Sequence, residues 1–261
     1  MSHHIVEVAD LRYAYPDTTA ALNGVSFRIT HGESVAIVGA NGAGKSTLLL
    51  HLNGYLTPQQ GSVRIGGFPL TRHTLADVRR TVGMVFQDPD DQLFMPTVYD
   101  DVAFGPLNLG LPREEAEARV AEALDRVGAR HLRDRPPYRL SGGEKRSVAI
   151  ATVLAMSPDI LVMDEPSSNL DPGARRRLIG LLRTFEHTKI TATHDLDMVL
   201  DLCTRTIVLH DGRVMADGPT LEIFGDDALL ASSHLEKPLS LQGCPVCGHR
   251  GRVTLRGNGQ T

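Results

Sequence analysis

Apolar and polar positions change their spacing several times along the chain, and the changes mark its elements. IVEV (5–8) alternates with period two, as an edge or half-buried strand does. SVAIVGA (34–40) is a continuous apolar run of buried-strand type, followed by glycines and then by TLLLHLNG, so it predicts strand, loop and helix in that order. Further strands are predicted at SVRIGG (62–67), VGMVFQ (82–87), DILVMDE (159–165) and KITATHD (189–195). Asp211-Gly212 joins TIVLH to RVMAD and suits a two-residue type I′ hairpin turn.

Between residues 88 and 158 the period becomes helical. REEAEARVAEALDRVG (113–128) places Val120, Leu124 and Val127 at helical spacing, with charges elsewhere and Gly128 as the stop. A second helix is expected after SGGE, running through VAIATVLAM (148–156). A mostly helical insert therefore sits inside an α/β sheet domain. From about residue 226 the periodicity fades, and residues 240–261 form a tail rich in glycine, arginine and polar residues, expected to be loosely ordered or organised by a metal.

Composition narrows the picture. The 261 residues suit one large α/β domain or a domain with a subdomain, and 41% apolar with 22% charged residues is ordinary for a soluble protein. A net charge of −4 argues against broad attraction to nucleic acid, and Arg175-Arg176-Arg177 reads as a solvated helix face. No signal peptide is expected at MSHHIVEV, and the longest apolar run falls well short of the ~18 residues that span a bilayer. The three cysteines make no secreted disulfide framework, so the cytosol is the expected compartment.

Two motifs carry chemistry. GANGAGKS, residues 39 to 46, matches G-x-x-x-x-G-K-[ST] between a predicted strand and a predicted helix. Gly42 and Gly44 let the backbone curl until its N–H groups face phosphate oxygens. Lys45 reaches the β- and γ-phosphates, and Ser46 is a ligand for Mg²⁺ at the positive end of the helix. Asn41, Ala43 and Thr47 complete the loop around Gly39 and Lys45. ILVMDEP (160–166) then delivers Asp164 and Glu165 at the carboxyl end of a buried strand, where open α/β sheets bind ligands. Asp164 is placed to hold Mg²⁺ and Glu165 to orient or deprotonate the attacking water. No N-K-x-D guanine motif is present.

LSGGEKR (140–146), with Gln87, SSNLD (167–171) and His194, completes a set that resembles the ATP-binding-cassette ATPases over nearly all of residues 4–225. The resemblance implies a phosphate-loop NTPase (RecA-like) α/β core with an antiparallel β subdomain and a helical insert. It divides the chain into a core at 1–87 and 159–225, a helical subdomain at 88–158 and a C-terminal tail at 226–261. It implies ATP and Mg²⁺ as cofactors. Tyr15, rather than Tyr13, becomes the aromatic that stacks on adenine, Gln87 senses Mg²⁺ and water, and His194 contacts the γ-phosphate. Ser141, Gly142 and Gly143 would contact ATP held by a second cassette and Asp171 would communicate across that interface, so a homodimer or heterodimer is implied. Ala40, Glu144 and Ser147 depart from the family's common proline, glutamine and basic residue.

QDPDDQLFMPTV (87–98) sets three large apolar residues in a row, which cannot all face one core. In transporters of this family the segment receives a helix of a membrane partner, so Leu93, Phe94 and Met95 are expected to wall an apolar groove, with Asp88, Asp90 and Asp91 on its rim. The longer run through TVYDDVAFGPLNLGLP resembles the ATPases of energy-coupling-factor importers. EPSSNLDP, THDLDMVLDLC and ADGPTLEIF look most like the cobalt/nickel branch. Integral membrane coupling and substrate-binding subunits are the implied partners, at the cytoplasmic face of the cell membrane. Vitamin import is the alternative, and a soluble cassette ATPase of DNA repair or translation a remoter one. In CPVCGHRG, Cys244 and Cys247 have the spacing of half a zinc site, for Zn²⁺ or Co²⁺, with His249 close by.

Overall fold

The computed structural model describes residues 4–242, so Cys244, Cys247 and His249 lie outside the described residues. Two sheets organise the chain. The first is antiparallel and has the order β2-β1-β4-β5, from β1 (His4–Ala14), β2 (Ala20–Thr30), β4 (Gln60–Ile65) and β5 (Phe68–Pro69). β1 pairs with both β2 and β4, so IVEV belongs to an interior strand and not to an edge. The second sheet has the order β10-β9-β3-β8-β7-β6, from β3 (Ser34–Val38), β6 (Val82–Val85), β7 (Ile160–Asp164), β8 (Thr188–Ala192), β9 (Arg205–His210) and β10 (Arg213–Pro219). Every neighbouring pair in it is parallel except β9 and β10. That hairpin turns at Asp211 (φ 47°) and Gly212 (φ 69°), the paired positive values a type I′ turn needs.

Continuous apolar strands arise because both faces of the second sheet are covered. On β7, Ile160 and Val162 pack with Leu48, Leu49 and Leu52 of α1 (Lys45–Leu52) and with the first sheet. Leu161 and Met163, one step out of phase, pack with Val102, Leu124, Val148 and Ile150 of a helical layer. Each of these side chains contributes about 1.5–3 kcal/mol by leaving water. The layer comprises α3 (Val98–Asn108), α4 (Arg113–Arg126) and α5 (Gly142–Leu154), preceded by α2 (Leu75–Thr81) on the other side of β6. On α4, Ala116, Val120, Ala123 and Leu124 form the buried stripe, and Gly128 ends the turn after it at φ 71°.

α5 starts at Gly142, within SGGE and not after it. Ser141 caps it, and Glu144 completes a capping box by accepting from the Ser141 N–H and hydroxyl. α6 (Pro172–Arg183) and α7 (Leu196–Leu202) follow β7 and β8. Regular structure continues past residue 226, where the sequence periodicity fades. α8 (Thr220–Gly225) and α9 (Asp227–Ser232) bury Phe224 and Leu230 against Ala36, Val38 and Val199. The Asp197 carboxylate then accepts from the N–H groups of Leu239 (3.1 Å) and Ser240 (3.0 Å).

Candidate nucleotide site

The carboxyl ends of β3, β7 and β8 converge on one cleft of about 490 Å³. Such a volume is that of a small-molecule site. Between β3 and α1 the chain must turn tightly under the sheet. A Cβ on Gly39 would stand 2.3 Å from the Leu209 carbonyl oxygen. Gly42 (φ 81°) and Gly44 (φ 101°) take left-handed conformations that a side chain would strain. Ala43 is buried beneath, its carbonyl accepting from Gly212 N–H at 3.1 Å.

Asn41, Gly42, Gly44, Lys45, Ser46 and Thr47 line the cleft on one side. Lys45, 7% exposed, donates from Nζ to the carbonyls of Gly39 (2.8 Å) and Ala40 (3.2 Å). Burial lowers its pKa, and the carboxylates of Glu165 and Asp164 oppose that. Tyr15 also lines the cleft, its hydroxyl 3.0 Å from Thr47 Oγ1. Tyr13 stands behind it, edge-on to both Tyr15 and His51.

Across the cleft, Asp164 ends β7 and Glu165 follows it, both buried. Asp164 Oδ1 has no hydrogen-bond partner. Burial raises the Asp164 pKa, a hydrogen bond with the Ser46 side chain opposes this, and Glu165 adds to it. Glu165 holds a left-handed backbone (φ 46°), which turns its side chain toward β8. Its Oε2 accepts from Thr193 Oγ1 (3.0 Å) and His194 N–H (3.3 Å), and stands 2.8 Å from His194 Nδ1. His194 is itself largely exposed, and Gln87 completes the lining two residues after β6.

Four sequence candidates stand apart. Ser141, Gly142, Gly143 and Asp171 do not line this cleft. Asp171 caps α6 instead, accepting from Gly173 N–H (2.7 Å) and Ala174 N–H (2.9 Å). Gly143 borders a second cleft, of about 440 Å³, between α5 and α6. Sequence reasoning missed Thr193, although it precedes His194 directly. It also missed Arg175, which forks onto Asp195 at 2.7 and 2.9 Å beside His194 and so is not part of a solvated face.

The apolar triad divides three ways. Leu93 belongs to the helical core and walls no groove, Met95 is half-buried, and Phe94 is 63% exposed. Phe94 packs edge-on against Phe104, with centroids 5.0 Å apart, and Leu107 follows one helical turn further along α3, also exposed. The Asp101 carboxylate fixes this corner by accepting from Phe94 N–H and Met95 N–H, each at 3.0 Å.

A phosphate loop opposed by two buried carboxylates and a histidine defines the class: a nucleoside triphosphatase. Comparison with known proteins narrows it. Residues 22–168 match the family model described as ABC transporter. An ABC transporter ATP-binding protein of Geobacter sulfurreducens is 74% identical over 248 residues, covering 95% of this chain and all of the relative. The energy-coupling factor transporter ATP-binding protein EcfA of Methanocaldococcus jannaschii is 48% identical, covering 90% of this chain and 86% of its own. Among solved structures, cbiO1 of Clostridium perfringens, part of the ABC transporter complex cbiONQ, superposes with a TM-score of 0.76 at 42% identity, over 88% of this chain and 94% of that one. The chain belongs to the ABC transporter family and is an ATP-binding, ATP-hydrolysing cassette with the α/β fold expected of one. Among the described residues no helix is long and apolar enough to cross a membrane.

Proposed function

We propose that this chain is the ATPase of an energy-coupling-factor type importer, driving uptake of cobalt or nickel through integral membrane subunits at the cytoplasmic face. The observation that carries the transport reading is the exposed Phe94–Phe104 corner, seven residues beyond Gln87 in the chain, held in shape by Asp101. An aromatic pair left in water on the segment that follows Gln87 suits a helix docking in a groove. The likeness to EcfA and cbiO1 supports the importer class, and the cobalt/nickel-like wording of EPSSNLDP and ADGPTLEIF supports the cargo.

Within the cleft, Tyr15 stacks on adenine and the loop N–H groups around Lys45 hold the phosphates. The donor set fits Mg²⁺: the buried, unpartnered Asp164 Oδ1 and the Ser46 hydroxyl are hard oxygen ligands, and Gln87 adds a third. When bound, the ion neutralises charge on the phosphates. Glu165, held against Thr193 and His194, accepts the proton of the attacking water, and His194 turns toward the γ-phosphate. Ser141, Gly142, Gly143 and Asp171 serve the nucleotide of a second cassette, which explains why none faces this chain's own cleft. A dimeric ABC transporter cassette, 29% identical with a TM-score of 0.75, supports that arrangement.

The test is purification of the tagged chain from detergent-solubilised membranes, with Phe94→Asp alongside. Small integral membrane subunits are expected with the wild type and depleted at least about tenfold with the variant, the loss of one buried hot-spot aromatic. Metal-ligating residues in those subunits would support cobalt or nickel, and a vitamin pocket would replace the cargo. A soluble complex without membrane proteins would refute the transport reading.

A further inference from the structure

Gln87 follows β6 in the chain, yet the structure attaches it to a different element. Phe86 N–H leaves the sheet ladder and donates to Gln92 Oε1 at 3.2 Å. Phe86 C=O accepts from Arg146 Nη1 at 2.7 Å, and Gln87 C=O from Arg146 Nη2 at 2.5 Å. Both peptide planes that flank the Gln87 Cα are therefore held by one guanidinium. Arg146 lies on α5, and Gln92 is bound to the same helix through Ala149 C=O (2.8 Å) and Thr152 Oγ1 (2.7 Å). Lys145 adds an ion pair to Asp90 at 2.6 Å. Four positions of α5 thus grip residues 86–92, which lie about sixty residues earlier in sequence.

Arg146 is 3% exposed, and among the described residues no carboxylate pairs with it. Its Nε has no partner, and burial lowers its pKa, with Asp88 and Asp164 at a distance opposing. A buried guanidinium without a carboxylate is an expensive way to fill space, since an apolar side chain of similar volume avoids the desolvation. What the guanidinium adds is its planar fork, two donors in fixed relation, matched here to two successive carbonyls.

We propose that Arg146 and Gln92 are positioning residues for ATP hydrolysis, fastening Gln87 to α5 so that it moves with Ser141–Gly143 at the start of that helix. Engagement of Ser141 and Gly143 by nucleotide on a second cassette then sets the position of Gln87 in this chain's own cleft. The two nucleotide sites of a dimer are coupled through a rigid helix rather than through the sheet. This inference rests on the reading that Gln87 acts at the nucleotide.

The test is a double-mutant cycle of Arg146→Lys with Gln87→Ala, in the full chain. Lysine keeps the charge but offers a point donor that cannot hold both carbonyls. Arg146→Lys alone is expected to lower kcat by roughly 10- to 100-fold, as small misplacements of reacting groups do. The Mg²⁺ concentration for half-maximal turnover should rise, while ATP affinity measured without Mg²⁺ stays within about twofold. In the Gln87→Ala background Arg146→Lys should cost less than about twofold more, because the group it positions is gone. Should Arg146→Lys fail to fold, Gln92→Met, at a half-buried position, takes its place in the same cycle. Multiplicative losses would make Arg146 a merely structural residue and overturn the inference. Unchanged turnover and Mg²⁺ dependence in Gln87→Ala alone would instead overturn the reading of Gln87, a separate failure.

Discussion

Lys45→Ala separates binding from stability. Two of the three Nζ protons are spent on the carbonyls of Gly39 and Ala40, which leaves one for a phosphate oxygen. A hydrogen bond to a charged group contributes about 1.5–3 kcal/mol net, so the dissociation constant for ATP should rise roughly 10- to 150-fold. Ligand binding stabilises a fold by RT ln(1 + [L]/Kd), about 2.7 kcal/mol at 100 times Kd. At the same ATP concentration the variant retains only about 1.4 to 0.3 kcal/mol of that. The nucleotide-free protein should not lose stability in proportion. Burial already disfavours the ammonium in the empty fold, and its loss is offset against the now unopposed Asp164 and Glu165. Isothermal titration in EDTA gives the affinity, and thermal midpoints with and without ATP give the linkage. An affinity within twofold of wild type would refute the reasoning, since Nζ would then serve only the two loop carbonyls.

The other perturbations address the carboxylates. Glu165→Gln should keep ATP affinity within a few-fold, because the amide oxygen can accept from Thr193, but lower turnover about 10²- to 10⁴-fold; single-turnover hydrolysis near the wild-type rate would remove Glu165 as the base. Glu144→Gln keeps the capping box but removes a negative charge from the α5 N-terminus, so ATP-driven dimerisation in a Glu165→Gln background should need roughly two- to fivefold less ATP at low salt. Light scattering that shows the same midpoint for both proteins would refute it. Burial raises the Asp101 pKa above its unfolded value, so its penalty is full above the folded pKa and fades as pH falls through it. Relative to Asp101→Asn, the wild type should therefore gain thermal stability as pH is lowered from neutrality toward the ordinary carboxylate range, and a difference that stays constant down to that range would refute the raised pKa.

How much of this was readable in sequence follows from how local each feature is. The phosphate loop is one contiguous segment, because backbone N–H groups can surround a phosphate only if successive residues curl about it. Gly39 to Thr47 therefore announce themselves. β2 escapes the pattern: its partner β1 shifts register at Val8/Leu11 and at three further steps, and such bulges break the alternation that marks a strand. α9, six residues long, is too short to show a helical period, so the folded stretch to residue 242 looked like tail. Spacing alone shows that three adjacent residues diverge, not which one turns inward, so the sequence does not separate the buried Leu93 from Phe94.

Non-local pairs belong to topology. Glu165 and His194 meet at 2.8 Å because β7 and β8 lie side by side in parallel with Asp164 opposite Ala192, so each strand delivers its next polar residues at one level. A slip of one residue in that pairing would turn the side chains of one strand to its opposite face and separate the two groups. Arg146 is less legible still. A long cation inside a motif reads as surface by default, since arginines are seldom fully buried. Its partners are carbonyl groups, which every residue carries and no side-chain pattern records. The motif thus marks the start of α5 as the candidate contact with another cassette. Only the fold shows that the same helix also holds the peptide groups on either side of the Gln87 Cα.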